Sequence, residues 1–230
     1  MIKNPNIYTA IAELFRYPSA DSPVKALACQ ELLDQEYPEA ATLLLPFTKH
    51  FISLNDDGRE ELFTKTFDVQ PICYLDLGYV IFGEDYKRGS FLLHMQQEQS
   101  SINHDCSPEL PDHLSHVLYL ITVHSDKEFV NELVAKILVP GVKKMIQEFD
   151  TAKIELKMKV IKKLHNALIA EELNNGNLYH NAFSALLKIF EADFSDAISK
   201  YNPKEENLVS DSFFNKNNSV NQLVNNYKID

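Results

Sequence analysis

The segment Asn6-Ile7-Tyr8-Thr9-Ala10-Ile11-Ala12-Glu13-Leu14-Phe15-Arg16-Tyr17 sets the pattern for the whole chain. Ile7, Ala10, Ile11, Leu14 and Phe15 fall at i, i+3, i+4, i+7 and i+8, the spacing that gathers apolar side chains on one face of an α-helix. Glu13 and Arg16 interrupt the apolar run, so the segment reads as an amphipathic helix and not as a signal peptide. Pro18 stops it.

The same period continues outward. Ser22-Pro23 opens a helix to about Gln35, and Pro38 starts another through Leu43, Leu44, Phe47 and Phe51, with a kink at Pro46. Asn55-Asp56-Asp57-Gly58 reads as a turn, followed by a helix carrying Leu62, Phe63 and Phe67. Pro71 opens an unusually apolar stretch from Ile72 to Phe82, Gly83 and Gly89 bound a short charged corner, and a helix follows through Phe91, Leu92 and Met95. Residues 97–110 are polar and read as a loop. Pro111 then begins a helix with Leu114, Val117, Leu118 and Ile121 as its core stripe. Lys127 to Phe149 stays helical with a bend at Pro140-Gly141, Ile154 to Leu173 forms a long stripe, Asn174–Asn177 breaks it, and a last helix runs from about Leu178 to Lys200. From Asn202 the chain is Asn-rich, with a short docking segment at Val220–Tyr227. The reading is one all-α domain over residues 1–201, a bundle of nine to ten helices, and a flexible tail over 202–230.

Composition narrows the function classes. The 230 residues carry 22 Lys/Arg against 33 Asp/Glu, a formal charge of −11, with only 6 Gly. So little glycine disfavours a Rossmann fold or a β-sandwich, which spend it on phosphate loops and turns. An acidic chain without a basic run is a poor nucleic-acid binder. No segment has the roughly 20 apolar residues that span a bilayer. Cys29, Cys73 and Cys106 are odd in number and widely spaced, which suits a reducing cytoplasm, and Cys-only zinc or iron–sulfur ligation lacks its fourth thiolate. Residues 1–115 hold 8 Lys/Arg and 18 Asp/Glu, a net of −10, while residues 116–230 are close to neutral. The first half would steer a cationic partner; a merely solubilising acidic surface explains the same count.

Three constellations carry possible chemistry. Glu109-Leu110-Pro111-Asp112-His113 places Asp112 in a first helical turn, where the macrodipole favours a carboxylate, with His113 beside it and His116 one turn on. At a rim, these groups could bind an incoming backbone or cation; residue types alone equally describe a charge cap with an exposed histidine. Tyr79 to Gly89 includes Glu84, Asp85 and the basic pair Lys87-Arg88 between two glycines. As a phosphate loop it lacks the required spacing, and a corner with a Glu84–Arg88 ion pair is the plainer reading. Finally, His94, His104-Asp105, Asp112-His113, His116 and His124 fall within about thirty residues, and His94, His104, Asp105 and Asp112 could serve a helical metal-dependent phosphohydrolase; no HExxH or Glu-x-x-His pair supports it, and exposed or core-satisfied histidines are the plainer reading. The Lys-rich stretch Lys143–Lys163 reads as a solvated face.

Glu109-Leu110-Pro111-Asp112-His113-Leu114 resembles the E-x-P-D-H signature of the redox-enzyme maturation chaperones, and within them the nitrate reductase molybdenum cofactor assembly chaperones (NarJ-like). Leu14-Phe15-Arg16-Tyr17-Pro18-Ser19 resembles the family's L-x-Y-P helix end, and Gly83-Glu84-Asp85-Tyr86-Lys87-Arg88-Gly89 its G-E-x-x-x-R-G corner. The resemblance spans roughly residues 7–173. It implies an all-α cytoplasmic chaperone, not an enzyme, that binds the N-terminal segment of a molybdoenzyme catalytic subunit and holds the apo-subunit for molybdopterin insertion. The client would be a nitrate reductase alpha subunit or, alternatively, a dimethyl sulfoxide or trimethylamine N-oxide reductase. The client, not the chaperone, would carry the cofactor, and no metal, nucleic acid or membrane insertion is implied. Asp112, His113, Glu109, Pro111 and His116 would contact the client, with Tyr79, Glu84, Arg88 and Gly89 shaping the rim.

Overall fold

The computed structural model describes residues 2–149 and 178–201. The expectations for the Ile154–Leu173 stripe, the Asn174–Asn177 break and the Asn-rich tail lie outside these residues. Among the described residues the fold is all-helical with no strand. The elements are α1 (Pro5–Ala12), a 3-10 turn (Glu13–Phe15), α2 (Ser22–Glu36), α3 (Pro38–Ser53), α4 (Asp56–Phe67), α5 (Leu77–Phe82), α6 (Lys87–Ser101) and α7 (Leu114–Val123). They continue with α8 (Lys127–Leu133), a π segment (Val134–Leu138), α9 (Val139–Glu148), α10 (Leu178–Asp193) and α11 (Ser195–Tyr201). With α8, the π segment and α9 counted as one rod, ten helices are described, in line with the bundle read from periodicity.

The period-3.6 stripes become the core. Ile7, Ile11, Leu14 and Phe15 are all buried, and α1 packs on α7 and α2. Helix α10 lies against α3 and α9, and α5 sits on α9 and α6. Tyr179 on α10 is the hub of an aromatic cluster, with Phe15, Phe47, Phe63 and Phe67 rings 4.6 to 6.5 Å from its own. Full burial of each such ring contributes about 1.5–3 kcal/mol. One polar anchor ties the N-terminus to α10: Asp193 accepts from the hydroxyls of Tyr8 at 2.9 Å and Tyr37 at 2.7 Å. Helix α7 is apolar nearly all round and correspondingly central: Leu114 to Leu118, Leu120 and Ile121 are buried.

Several boundaries differ from the sequence reading, each for a local reason. Asn55 to Gly58 is a helix start, because the Asn55 side chain accepts the Gly58 N–H at 2.9 Å and so caps α4. Helix α6 runs to Ser101, so the loop is shorter than residues 97–110 suggested. Pro46 does lie inside α3, which runs through it as the sequence reading expected. No break falls at Pro140-Gly141; instead the rod widens just before them, where the Val139 N–H reaches back five residues to the Val134 carbonyl, one way to absorb a proline that cannot donate. The last helix is split at Phe194 into α10 and α11.

Candidate functional site

The loop before α5 and the loop before α7 run antiparallel for one residue pair, Asp76 opposite His113. The Leu77 N–H donates to the Asp112 carbonyl at 3.1 Å, and the Leu114 N–H donates to the Leu75 carbonyl at 2.9 Å. This short zipper fixes where the Glu109–His113 stretch lies. Gln99 of α6 secures it from behind, its side-chain amide donating to the Pro111 carbonyl at 3.2 Å.

The zipper gives Asp112 and His113 separate tasks. Helix α7 starts at Leu114, so Pro111 is not at its first position and Asp112 is not in its first turn. His113 is the N-cap of α7: its Nδ1 accepts the Ser115 N–H at 3.3 Å and lies 2.8 Å from the Ser115 hydroxyl. Asp112 turns the other way, and its Oδ2 accepts the Gly78 N–H in the first turn of α5 at 2.7 Å. Asp76, the residue in the N-cap position of α5, makes no side-chain cap bond. The attraction between a carboxylate and a helix N-terminus thus operates, but on a helix whose start lies far upstream.

The rim display expected for these residues is corrected by their burial. Asp112 is 0% exposed, and His113 and His116 are each 5% exposed. Burial and the Asp76 charge push the Asp112 carboxyl up to about 6 despite the Gly78 bond, and its Oδ1 has no hydrogen-bond partner among the described residues. Burial likewise holds His113 down at about 3, so it caps α7 as a neutral ring. Their shared role is to set the wall, with other side chains forming its outer surface.

The wall itself is α5. Gly78 has no room for a side chain: a Cβ there would sit 2.7 Å from Asp112 Oδ2 and 3.0 Å from the Phe91 ring. Tyr79 is half-buried, its ring 4.3 Å from that of the exposed Tyr74, and the Arg88 guanidinium lies 5.2 Å from the same ring. The expected Glu84–Arg88 ion pair does not form, because α6 begins at Lys87 and the two residues share no helix. Glu84 and Gly89 are exposed, and Gly89 has open space around it. Gly83, at φ 60°, ends α5 in a conformation that suits glycine. Lys144 of α9 donates to the Ile81 and Val80 carbonyls at 3.2 and 3.4 Å, closing the other end of α5.

Beside α5 opens a cleft of about 420 Å³, lined by Tyr74, Tyr79, Val80, Lys144, Met145 and Glu148 among others. Its lining carries one acid, Glu148, and one base, Lys144. Partial burial and the charges of Asp76 and Asp68 push the Glu109 carboxyl above its ordinary range, and Glu84 is close enough to act on the Tyr74 hydroxyl. The third motif stretch lies toward the start of α7, where the Arg16 charge acts on His104, His113 and His116 and the preceding 3-10 turn contacts α7. Gly78, Tyr74 and Lys144 are site residues that the sequence reading passed over; only the isolated glycine in an apolar run carried a signal, of close backbone approach.

The residues considered for metal-dependent phosphate hydrolysis are not brought together. His94 pairs with Glu98 at 3.1 Å, Asp112 serves Gly78, and Asp105 holds the Ser107 N–H. His124 also bonds Glu98, at 3.0 Å. Comparison with protein-family models and with curated proteins finds no match for this chain. No helix among the described residues is long and apolar enough to cross a membrane.

Proposed function

We propose that this chain is a cytoplasmic assembly chaperone for a molybdoenzyme catalytic subunit, most simply that of a respiratory nitrate reductase. It would act by binding the subunit's N-terminal segment while the molybdopterin cofactor is inserted, without catalysing a reaction of its own. The observation that carries the reading is convergence. The three stretches that resemble chaperone motifs are far apart in sequence, yet the charges of Arg88 and Arg16 act on Asp112 and His113 respectively, and Arg88 packs against Gly78, which Asp112 bonds.

The cleft beside α5 suits such a client. An extended or helical peptide places apolar side chains against aromatic walls, here Tyr74 and Tyr79, and its Lys/Arg residues can meet Glu148 in the lining and Glu84, whose charge acts on Tyr74. Asp112 and His113 contribute by fixing the starts of α5 and α7, so they shape the cleft from behind. Co-purification tests the reading. The full chain, tagged and expressed in cells making a nitrate reductase, should retain the alpha subunit in its cofactor-free form. Retention of the mature enzyme alone, or of no molybdoenzyme subunit, would contradict it.

A further inference from the structure

The loop between α6 and α7 holds a second constellation that the chaperone reading does not use. His104 Nε2 faces His116 Nδ1 at 2.9 Å, and Cys106 completes a group whose ligand atoms all lie within 4.8 Å of one another. His116 projects from the central helix α7 and is 5% exposed, whereas His104 and Cys106 are half-buried on the loop. A stable scaffold thus presents one ligand and a reachable loop presents two.

We propose that His104, Cys106 and His116 form a binding site for a divalent transition metal of the zinc class. Two imidazoles and one thiolate are the donor set that zinc and cobalt favour over calcium or magnesium, which prefer oxygen. Tetrahedral zinc with bonds of about 2.0–2.1 Å to nitrogen separates two ligand nitrogens by about 3.3 Å. The present 2.9 Å therefore needs a shift of only a few tenths of an ångström. On binding, the His–His hydrogen bond is replaced by two metal–nitrogen bonds. Each neutral ring keeps one proton, now on the nitrogen facing away, and the thiol proton of Cys106 leaves to solvent as the metal–sulfur bond forms. His116, ligating through Nδ1, then holds its own ring proton on Nε2, which has no partner among the described residues. Asp105 adds negative charge next to the site and Arg16 adds positive charge, so the ligands and not the surrounding field must supply the affinity. Three protein ligands leave one position for water or a partner's side chain. The consequence within the fold is a clamp, tying the loop that carries Glu109–His113 onto α7.

Cobalt(II) titration of the untagged full chain, kept reduced with a phosphine, tests this directly. The expected result is uptake of about one equivalent, with thiolate-to-cobalt absorption in the near ultraviolet. Cys106→Ser should abolish that absorption, and His104→Ala should weaken uptake by at least about tenfold. Both positions lie on the loop, and unchanged melting of the two variants in the absence of metal separates lost ligation from lost folding. No uptake at tens of micromolar cobalt, uptake without the near-ultraviolet band, or uptake unaltered in both variants would overturn the proposal.

Discussion

The Asp112 carboxylate caps a helix that is not its own, accepting the Gly78 N–H of α5 at 2.7 Å while its neighbour His113 caps α7. Two adjacent residues therefore start two helices, and the angle between α5 and α7 is set where the chain passes from one side chain to the next.

Gly78→Ala follows from this closeness. A methyl group would meet Asp112 Oδ2 at 2.7 Å and Phe91 at 3.0 Å, and neither neighbour can retreat without losing the cap or the packing. The variant should lose about 1–3 kcal/mol in urea denaturation. A loss below about 0.5 kcal/mol would show that the cap tolerates displacement.

Asp112 should make stability fall as pH rises. Its folded carboxyl titrates at about 6, above the ordinary 3.8, so the protonated form is the one the fold favours. That contribution is complete below pH 3.8 and is lost as pH climbs through 6. Asp112→Asn, still able to accept from Gly78, should therefore gain on the wild-type chain by on the order of 2–3 kcal/mol between pH 4 and pH 7.5. Parallel denaturation curves for the two proteins at both pH values would contradict this.

His113 works in the opposite sense. Its ring is held at about 3, below the ordinary 6.5, and Nδ1 can accept the Ser115 N–H only while unprotonated. The contribution is complete above pH 6.5 and is lost as pH falls toward 3. His113→Asn supplies a pH-independent N-cap. Circular dichroism melts from pH 7 to pH 4 should show the wild-type chain losing more stability than this variant.

Tyr179 offers a test in the core. Its hydroxyl is buried at the aromatic hub with no hydrogen-bond partner among the described residues, whereas that of Tyr8 bonds Asp193. Tyr179→Phe should leave stability unchanged or raise it by about 1 kcal/mol, and Tyr8→Phe should lower it by about 1–2 kcal/mol. Equal losses in the two variants would mean that the hub hydroxyl is satisfied.

Periodicity made the helices legible, because a stripe such as Ile7-Ile11-Leu14 needs only local spacing to declare itself. The site was legible in kind but not in arrangement. A carboxylate after Pro111 does seek a helix N-terminus, yet nothing in the sequence says that the helix starts at Leu77 and not at Asp112 itself. That choice depends on the Asp76–His113 pairing, a long-range backbone contact with no residue signature. Burial of His113 and His116 was equally hidden, since a polar loop just upstream suggested a solvent-facing rim. His104 and His116 stood among the histidines that the sequence groups within about thirty residues, but Cys106 as their partner follows no familiar metal-binding spacing, and the three meet only through the fold.

The most direct test of the chaperone account is calorimetric titration of the full chain with a synthetic peptide of a nitrate reductase alpha subunit N-terminus, at low and high salt. The account predicts micromolar or tighter binding, weakened as salt screens Glu148 and Glu84 and lost in a variant carrying both Tyr74→Ala and Tyr79→Ala. Absence of heat with every molybdoenzyme N-terminal peptide tried, or binding that survives the double substitution, would contradict it.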